Sequence, residues 1–221
     1  FYGLAILVIF TIPKVKVDDK PKNNLFKDFK LLIHNKMFIY ANIISVLSMT
    51  VVDTFGNYTG NHIVYSLHQD SSFIGIFTLF SVIPELLLVS KGTSIFNKYS
   101  YKKIFLISIF LQIVRVLTYA FTSNLSLFLI ASMAHGVIVL TMCVGLINFI
   151  AKVVEESVIS SAMSIFGSLS LIMNGIYSKI FGVLYESFGS SSIYIVSAIL
   201  MFIALILVYK KDYLDIMDKD K

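Results

Sequence analysis

Runs of about twenty consecutive apolar residues recur along this chain, and they constrain its fold more than any other feature. A bilayer core about 30 Å thick is crossed by about 20 residues of helix, because each residue rises about 1.5 Å. On that measure six full spans are expected, at about 38–62, 72–91, 104–122, 125–148, 159–183 and 190–209. The runs are continuously apolar rather than alternating, which selects helices over a β-barrel. Composition agrees: 57% of the 221 residues are hydrophobic and only 14% charged, far too little polar surface to coat a soluble domain of this length. The expected class is an all-α integral membrane protein, built as a six-helix transmembrane bundle. The opening FYGLAILVIFTI is short and stops at Pro13; without basic residues before it or a small-residue cleavage site after it, residues 1–12 read as the tail of a preceding helix in a fragment of a longer chain.

The lysines give an orientation. Residues 13–36 carry seven, residues 91–103 carry four more, and Lys152, Lys210, Lys211, Lys219 and Lys221 fall on the same side, whereas the segments 63–71, 122–124 and 184–189 carry neither lysine nor arginine. By the positive-inside rule the lysine-rich set is cytoplasmic, so a basic linker at 13–37 precedes the transmembrane domain at 38–209 and a cytoplasmic tail follows at 210–221. A multi-pass protein of the cell membrane with both flanks inside is the expectation. The pI of about 9.1 is then mainly a topology signal, with contact to anionic lipid a secondary reading for 14–36 and nucleic acid not a partner. Asp70-Ser71-Ser72 reads as a helix start, Ser123-Asn124 as a very short external turn and Phe188-Gly189-Ser190 as a stop and restart. A single cysteine, Cys143, excludes a disulfide framework within the chain and reads as a core residue. No HExxH, no paired catalytic aspartates and no Ser/His arrangement at useful spacing is present, so neither an enzyme nor a metal or cofactor site is expected.

Few ionisable groups remain within the spans: Asp53, Glu85, Arg115, His135 and Lys179. An Asp or Arg near a helix centre costs on the order of 2.5–3.5 kcal/mol on insertion scales, so such residues are the default functional candidates. Asp53 starts a stripe with Asn57 and Asn61 beside Gly56 and Gly60, which suits either a watered pathway or close helix packing. Glu85 follows Pro84, which loosens the helix, and its carboxyl can hold a proton in a dry site and release it when water or a cation enters. Arg115, the only arginine, stays charged and demands a carboxylate, an anion or several carbonyls, with Glu85 and Asp53 the expected partners. His135 reads either as a satisfied core histidine or as the third member of a proton-handling network. Lys179 reads as snorkelling to the external surface. Ser160, Ser164, Ser168, Gly167, Asn174 and Gly175 give one span a small polar face that permits close packing or lines a cavity.

The order TVVDTFGNYTGN, PELL, FNKYSYKK, VR, AHG and LYESFG, over about 38–209, resembles the C-terminal half of major facilitator superfamily transporters of the lactose-permease-like branch, which includes nucleoside and phenylpropionate proton symporters. The resemblance implies a twelve-helix transporter of two six-helix halves, with the solute between them near the midplane. It implies that Glu85 corresponds to a substrate-site glutamate, Arg115 and His135 to the proton site and Asp53 to an aspartate of the seventh helix. The pattern departs from lactose permease at Ile138, where that relative has a proton-carrying glutamate, and at Ser132 and Ser170, where it has lysines. GTSIFNKYSYKK likewise stands where the superfamily has a Gly-Asp-Arg-Gly-Arg loop and keeps only its basic character.

The expected function is secondary active transport of a sugar, nucleoside or aromatic acid by proton symport with alternating access. Glu85, Arg115, His135, Asp53 and Asn57 form the substrate and proton pathway, and the partners are the solute, the proton, the bilayer and the N-terminal half of the same transporter. The alternatives are a drug or metabolite exporter on the same fold, or a non-transporting sensor derived from it.

Overall fold

A computed structural model describes residues 25–215, apart from the side chains of residues 25, 50 and 53–55. The expected stub at 1–12, the first part of the linker and the end of the tail lie outside the described residues. Ten helices follow in order: α1 Leu25–His34, α2 Lys36–Asn61, α3 Ser72–Ser90, α4 Gly92–Lys98, α5 Tyr101–Phe121, α6 Leu125–Ser132, α7 His135–Val139, α8 Leu146–Val153, α9 Ile159–Phe188 and α10 Ser190–Lys210, with no strand among the described residues.

Among the described residues five segments are long and apolar enough to cross a membrane: Ser72–Ser90, Tyr101–Phe121, Leu125–Val153, Glu156–Phe188 and Ser190–Lys210. A sixth crossing is counted when the bent pair Phe26–His34 and Lys36–Met49, at 85° to each other, is taken as one span. Helix α2 itself runs 26 residues, about 39 Å at the α-helical rise, which is enough to cross. The protein is thus an all-α membrane bundle, as the apolar runs imply.

Local chemistry sets the helix ends. Asn35 accepts from the N–H groups of Met37 and Phe38 at the start of α2, and Asn124 does the same for Ser126 and Leu127 at the start of α6. The Asp70 carboxylate accepts from the Ser72 N–H at 2.8 Å. Gly189 separates α9 from α10 with φ of 80°, a left-handed backbone that glycine adopts without strain. Asp70, Asn124 and Gly189 lie where the sequence places a helix start or a turn; the Asn35 cap was not expected.

Two features differ from the expected layout. Residues 25–34, within the expected linker, form a helix tied to the bundle at two points: Ser161 Oγ donates to the buried Asp28 carboxylate at 2.6 Å, and Asn35 Nδ2 donates to the Val153 carbonyl at 2.7 Å. The run at 125–148 is not one uniform helix. Met133 and Ala134 donate to carbonyls three residues back, so the chain tightens after α6, and between α7 and α8 it widens into a π-helical turn over Leu140–Gly145. Cys143 sits partly buried in that turn.

Helix α5 occupies the middle of the bundle and packs most extensively on α10, which also lies against α2; α9 packs on α2, and α3 on α6 and α7. The core is aromatic, with Tyr101, Phe105, Tyr119, Phe128, Phe149 and Tyr194 all fully buried. By contrast Ser81 is the only buried residue on α3, and Leu79, Leu86 and Leu87 are more than half exposed. An apolar helix so open to its surroundings fits hydrocarbon and not water. The small polar face of α9 is open as well. Among the described residues a Cβ at Gly167 or Gly175 would meet nothing within 4 Å, nor would one at Gly56 on α2, so close packing between the described helices does not account for these glycines.

Candidate functional site

Arg115 lies on the inward side of α5 and is 4% exposed. Burying a guanidinium is costly unless acceptors surround it, and three side chains do so here. Its Nη1 donates to Gln112 Oε1 at 3.3 Å and to His135 Nδ1 at 3.2 Å, while its Nε donates to the Tyr119 hydroxyl at 3.2 Å. The guanidinium carbon also stands 5.4 Å from the Tyr119 ring centroid. Gln112, Arg115 and Tyr119 are spaced i, i+3, i+7, so one face of α5 supplies the cation and two of its acceptors.

These contacts determine the state of His135. A guanidinium has no acceptor, so His135 Nδ1 must accept, and the ring proton is therefore on Nε2. That nitrogen is 3.7 Å from Glu85 Oε2, with the two side chains 26% and 29% exposed. The result is a directed chain, Arg115 to His135 to Glu85, in which one side chain from each of α5, α7 and α3 takes part. The expected link between Glu85 and Arg115 therefore includes the imidazole between them.

The backbone makes this approach possible. A Cβ placed on Gly136 would lie 2.5 Å from the Glu85 nitrogen and 2.7 Å from both the Glu85 Cα and the Pro84 carbonyl carbon. Nothing larger than glycine fits there, and so α7 meets α3 backbone to backbone next to the His135 and Glu85 side chains. Pro84 contributes from the other side, because it leaves the Phe80 carbonyl without its usual partner four residues on. His135 is the first residue of α7, directly after the tightened turn at Met133-Ala134. Departures from regular helix of both kinds often mark functional positions.

The MFS_1-like family model matches residues 4–212 of the chain. The chain belongs to that family. No curated protein matches it. Membership of the MFS_1-like family, together with five or six membrane-crossing helices, is consistent with half of a major facilitator bundle, and it points to a multi-pass membrane transporter with a solute as its partner rather than to an enzyme. In an MFS_1-like chain the Arg115, His135 and Glu85 group is the buried charge of greatest interest.

Asn57 is exposed on α2, and the Asp53 side chain lies outside the described residues, although its backbone belongs to α2. Ile138 is fully buried, and Ser132, also fully buried, donates to the Leu129 carbonyl. Ser170 likewise donates within its own helix, to the Phe166 carbonyl. Among the described residues no group of three His, Cys, Asp or Glu is placed to hold a metal.

Sequence reasoning missed a second polar cluster in the same MFS_1-like bundle. His62 is 4% exposed; its Nδ1 lies 2.8 Å from Ser190 Oγ, which is in turn 2.9 Å from Ser66 Oγ. The ring stacks on Phe128 and meets Tyr194 edge-on, with centroids 5.9 and 5.0 Å away. Phe128 stacks on Tyr119, the acceptor of Arg115, at 4.2 Å. The signal available in the sequence was a histidine one turn beyond Tyr58, at the edge of the expected span.

Proposed function

We propose that the protein is a proton-coupled symporter of a small solute, within the lactose-permease-like branch, in which Glu85 is the carboxyl that gains and loses the coupling proton. The observation that supports this reading is the Arg115–His135–Glu85 chain across three helices. Donation from Arg115 polarises the imidazole so that its Nε2–H presents a stronger positive end toward Glu85, 3.7 Å away. A proton on Glu85 removes the negative end of that chain. The hold of α3 on α7 then weakens on one side of the Pro84–Gly136 contact, and the population of inward- and outward-open states shifts by the lost interaction.

A sugar, a nucleoside or an aromatic acid suits a site that offers a carboxylate, a guanidinium and aromatic rings in a mostly apolar setting. The N-terminal half of the same protein would supply the remaining contacts, with Asp53 and Asn57 on α2 facing the pathway. The lysine distribution supports a cytoplasmic position for both flanks of the bundle in the cell membrane. In proteoliposomes of the complete protein, Glu85→Gln is expected to retain solute exchange and lose pH-driven accumulation. Undiminished accumulation in that variant would remove Glu85 from the coupling step.

A further inference from the structure

We infer that the lysine-rich end of this bundle carries a binding site for one anionic phospholipid, with an acyl chain in a groove and the headgroup phosphate on two lysines. A cavity of about 380 Å³ lies between α3, α4, α5 and α7, walled by Leu88, Ile95, Ile104, Ile107, Val137 and Leu140. Tyr99 and Lys103 form its remaining lining. The walls are wholly aliphatic, and the polar residues come from the α4–α5 connection and the first turn of α5, as a ligand with an apolar chain and a polar head requires.

The charge at the mouth is specific. Lys98 Nζ stands 5.4 Å and Lys103 Nζ 5.0 Å from the centroid of the Tyr99 ring, so one aromatic ring gathers two ammonium groups. Neighbouring Lys102 is committed elsewhere, since it forms an ion pair with Asp212. Among the described residues no carboxylate pairs with Lys98 or Lys103, and both are exposed. Two like charges held beside one ring repel each other, and an anion between them relieves that repulsion. The headgroup level of an anionic leaflet is where such an anion is concentrated.

The depth is right for a lipid. Helix α3 ends at Ser90 and α5 begins at Tyr101, so Tyr99 and the lysines mark the polar boundary, whereas Ile104 and Ile107 lie one to two turns further in. The groove also touches the machinery described above. Val137 and Leu140 follow Gly136 on the stretch of helix that meets α3, and a Cβ on Gly92 would lie 3.1 Å from a Leu140 methyl group. A lipid seated here therefore lies against the α3–α7 contact that sets the Glu85–His135 distance.

The test is native mass spectrometry of the purified protein with dioleoyl-phosphatidylglycerol or dioleoyl-phosphatidylcholine added at equal concentration, read alongside the thermal shift each lipid produces. Phosphatidylglycerol is expected to bind at least about fivefold better and to give the larger shift. Lys98→Gln with Lys103→Gln should abolish that preference, and Val137→Trp, which fills the groove, should reduce binding of both lipids. Lys210→Gln with Lys211→Gln removes two charges of the same sign elsewhere and should leave the preference intact. A preference that survives Lys98→Gln/Lys103→Gln, or that falls equally in the Lys210/Lys211 control, would overturn the site. Displacement of the lipid by sn-glycerol 3-phosphate would overturn the part of the inference that places a chain in the groove. None of these readouts depends on transport, so the lipid site and the symport reading fail separately.

Discussion

Gly136→Ala is the substitution that tests the site most directly, because the geometry fixes its effect. The added Cβ would lie 2.5 Å from the Glu85 nitrogen, whereas ordinary contact begins at 3.4 Å, so α7 and α3 must separate by roughly 0.9 Å. The atoms in the way are backbone, and no rotamer change relieves them. Added to the 3.7 Å between His135 Nε2 and Glu85 Oε2, the displacement carries the pair to about 4.6 Å, too far for the imidazole N–H and the carboxylate to interact closely. Overpacking of this kind costs about 2 kcal/mol, which for a chain of this size corresponds to a melting temperature about 4–8 °C lower. The decisive assay is a double-mutant cycle between Glu85→Gln and His135→Gln, measured by thermal unfolding in both backgrounds. With Gly136 present, a coupling of about 0.5–1 kcal/mol is expected for a pair that is only about a quarter exposed; in the Gly136→Ala background the coupling should fall to near zero. Gly56→Ala is the control, since its Cβ meets nothing within 4 Å and the loss of a helical glycine should be neutral or stabilising by up to about 1 kcal/mol. Undiminished coupling in the Gly136→Ala protein would refute the claim that glycine sets the approach.

Arg115→Lys keeps the charge but cannot serve Tyr119, Gln112 and His135 together, and a loss of about 2–3 kcal/mol is expected in thermal unfolding; a melting temperature equal to the parent's would refute the shared anchorage. Ser161→Ala leaves the buried Asp28 carboxylate without its 2.6 Å donor, so α1 should loosen by about 1–3 kcal/mol and its amides exchange hydrogen faster, while those of α10 do not change. His62→Phe keeps the ring contacts with Phe128 and Tyr194 and should lie within about 1 kcal/mol of the parent, whereas His62→Ala opens a cavity and should cost about 3 kcal/mol, a difference readable by thermal unfolding. The Ser72 N–H holds the exposed Asp70 carboxyl below the usual carboxylate range. The cap is therefore fully present above the unfolded-state value near 3.9 and is lost as pH falls below it, so protection of the first amides of α3 should drop in acid in the parent and be flat with pH in Asp70→Ala.

How much of this was legible in the sequence follows from where each constraint acts. The crossings were legible because a bilayer imposes the same requirement at every residue of a span, and the ends were legible because Asp70, Asn124 and Gly189 act on their own neighbours. Glu85, Arg115 and His135 stood out because a charge in hydrocarbon is costly wherever it points. What they do to one another was not legible. The role of His135 as acceptor from Arg115 depends on nineteen intervening residues returning antiparallel, and the role of Gly136 depends on a backbone more than fifty residues earlier in the chain. The open faces of α2 and α9 show the same limit from the other side, since Gly56, Gly167 and Gly175 read equally as packing or as cavity-lining glycines, and among the described residues a Cβ at each meets nothing within 4 Å.

The site thus combines a cost that is local with a geometry that is not. Helix α6 tightens at Met133-Ala134 without any proline or glycine in Ala131–Ala134 to announce it. That turn determines which face of α7 carries His135 toward Arg115 and leaves the following residue, Gly136, against Glu85. Had the helix continued regularly, a residue would have advanced about 100° per step, and a change of one hydrogen-bonding register at the turn rotates everything after it by a comparable amount. His135 and Gly136 are consecutive residues of α7 and so stand about 100° apart around its axis, which lets the imidazole reach Arg115 on α5 while the glycine meets α3. The turn before them sets how α7 as a whole is rotated toward those two neighbours.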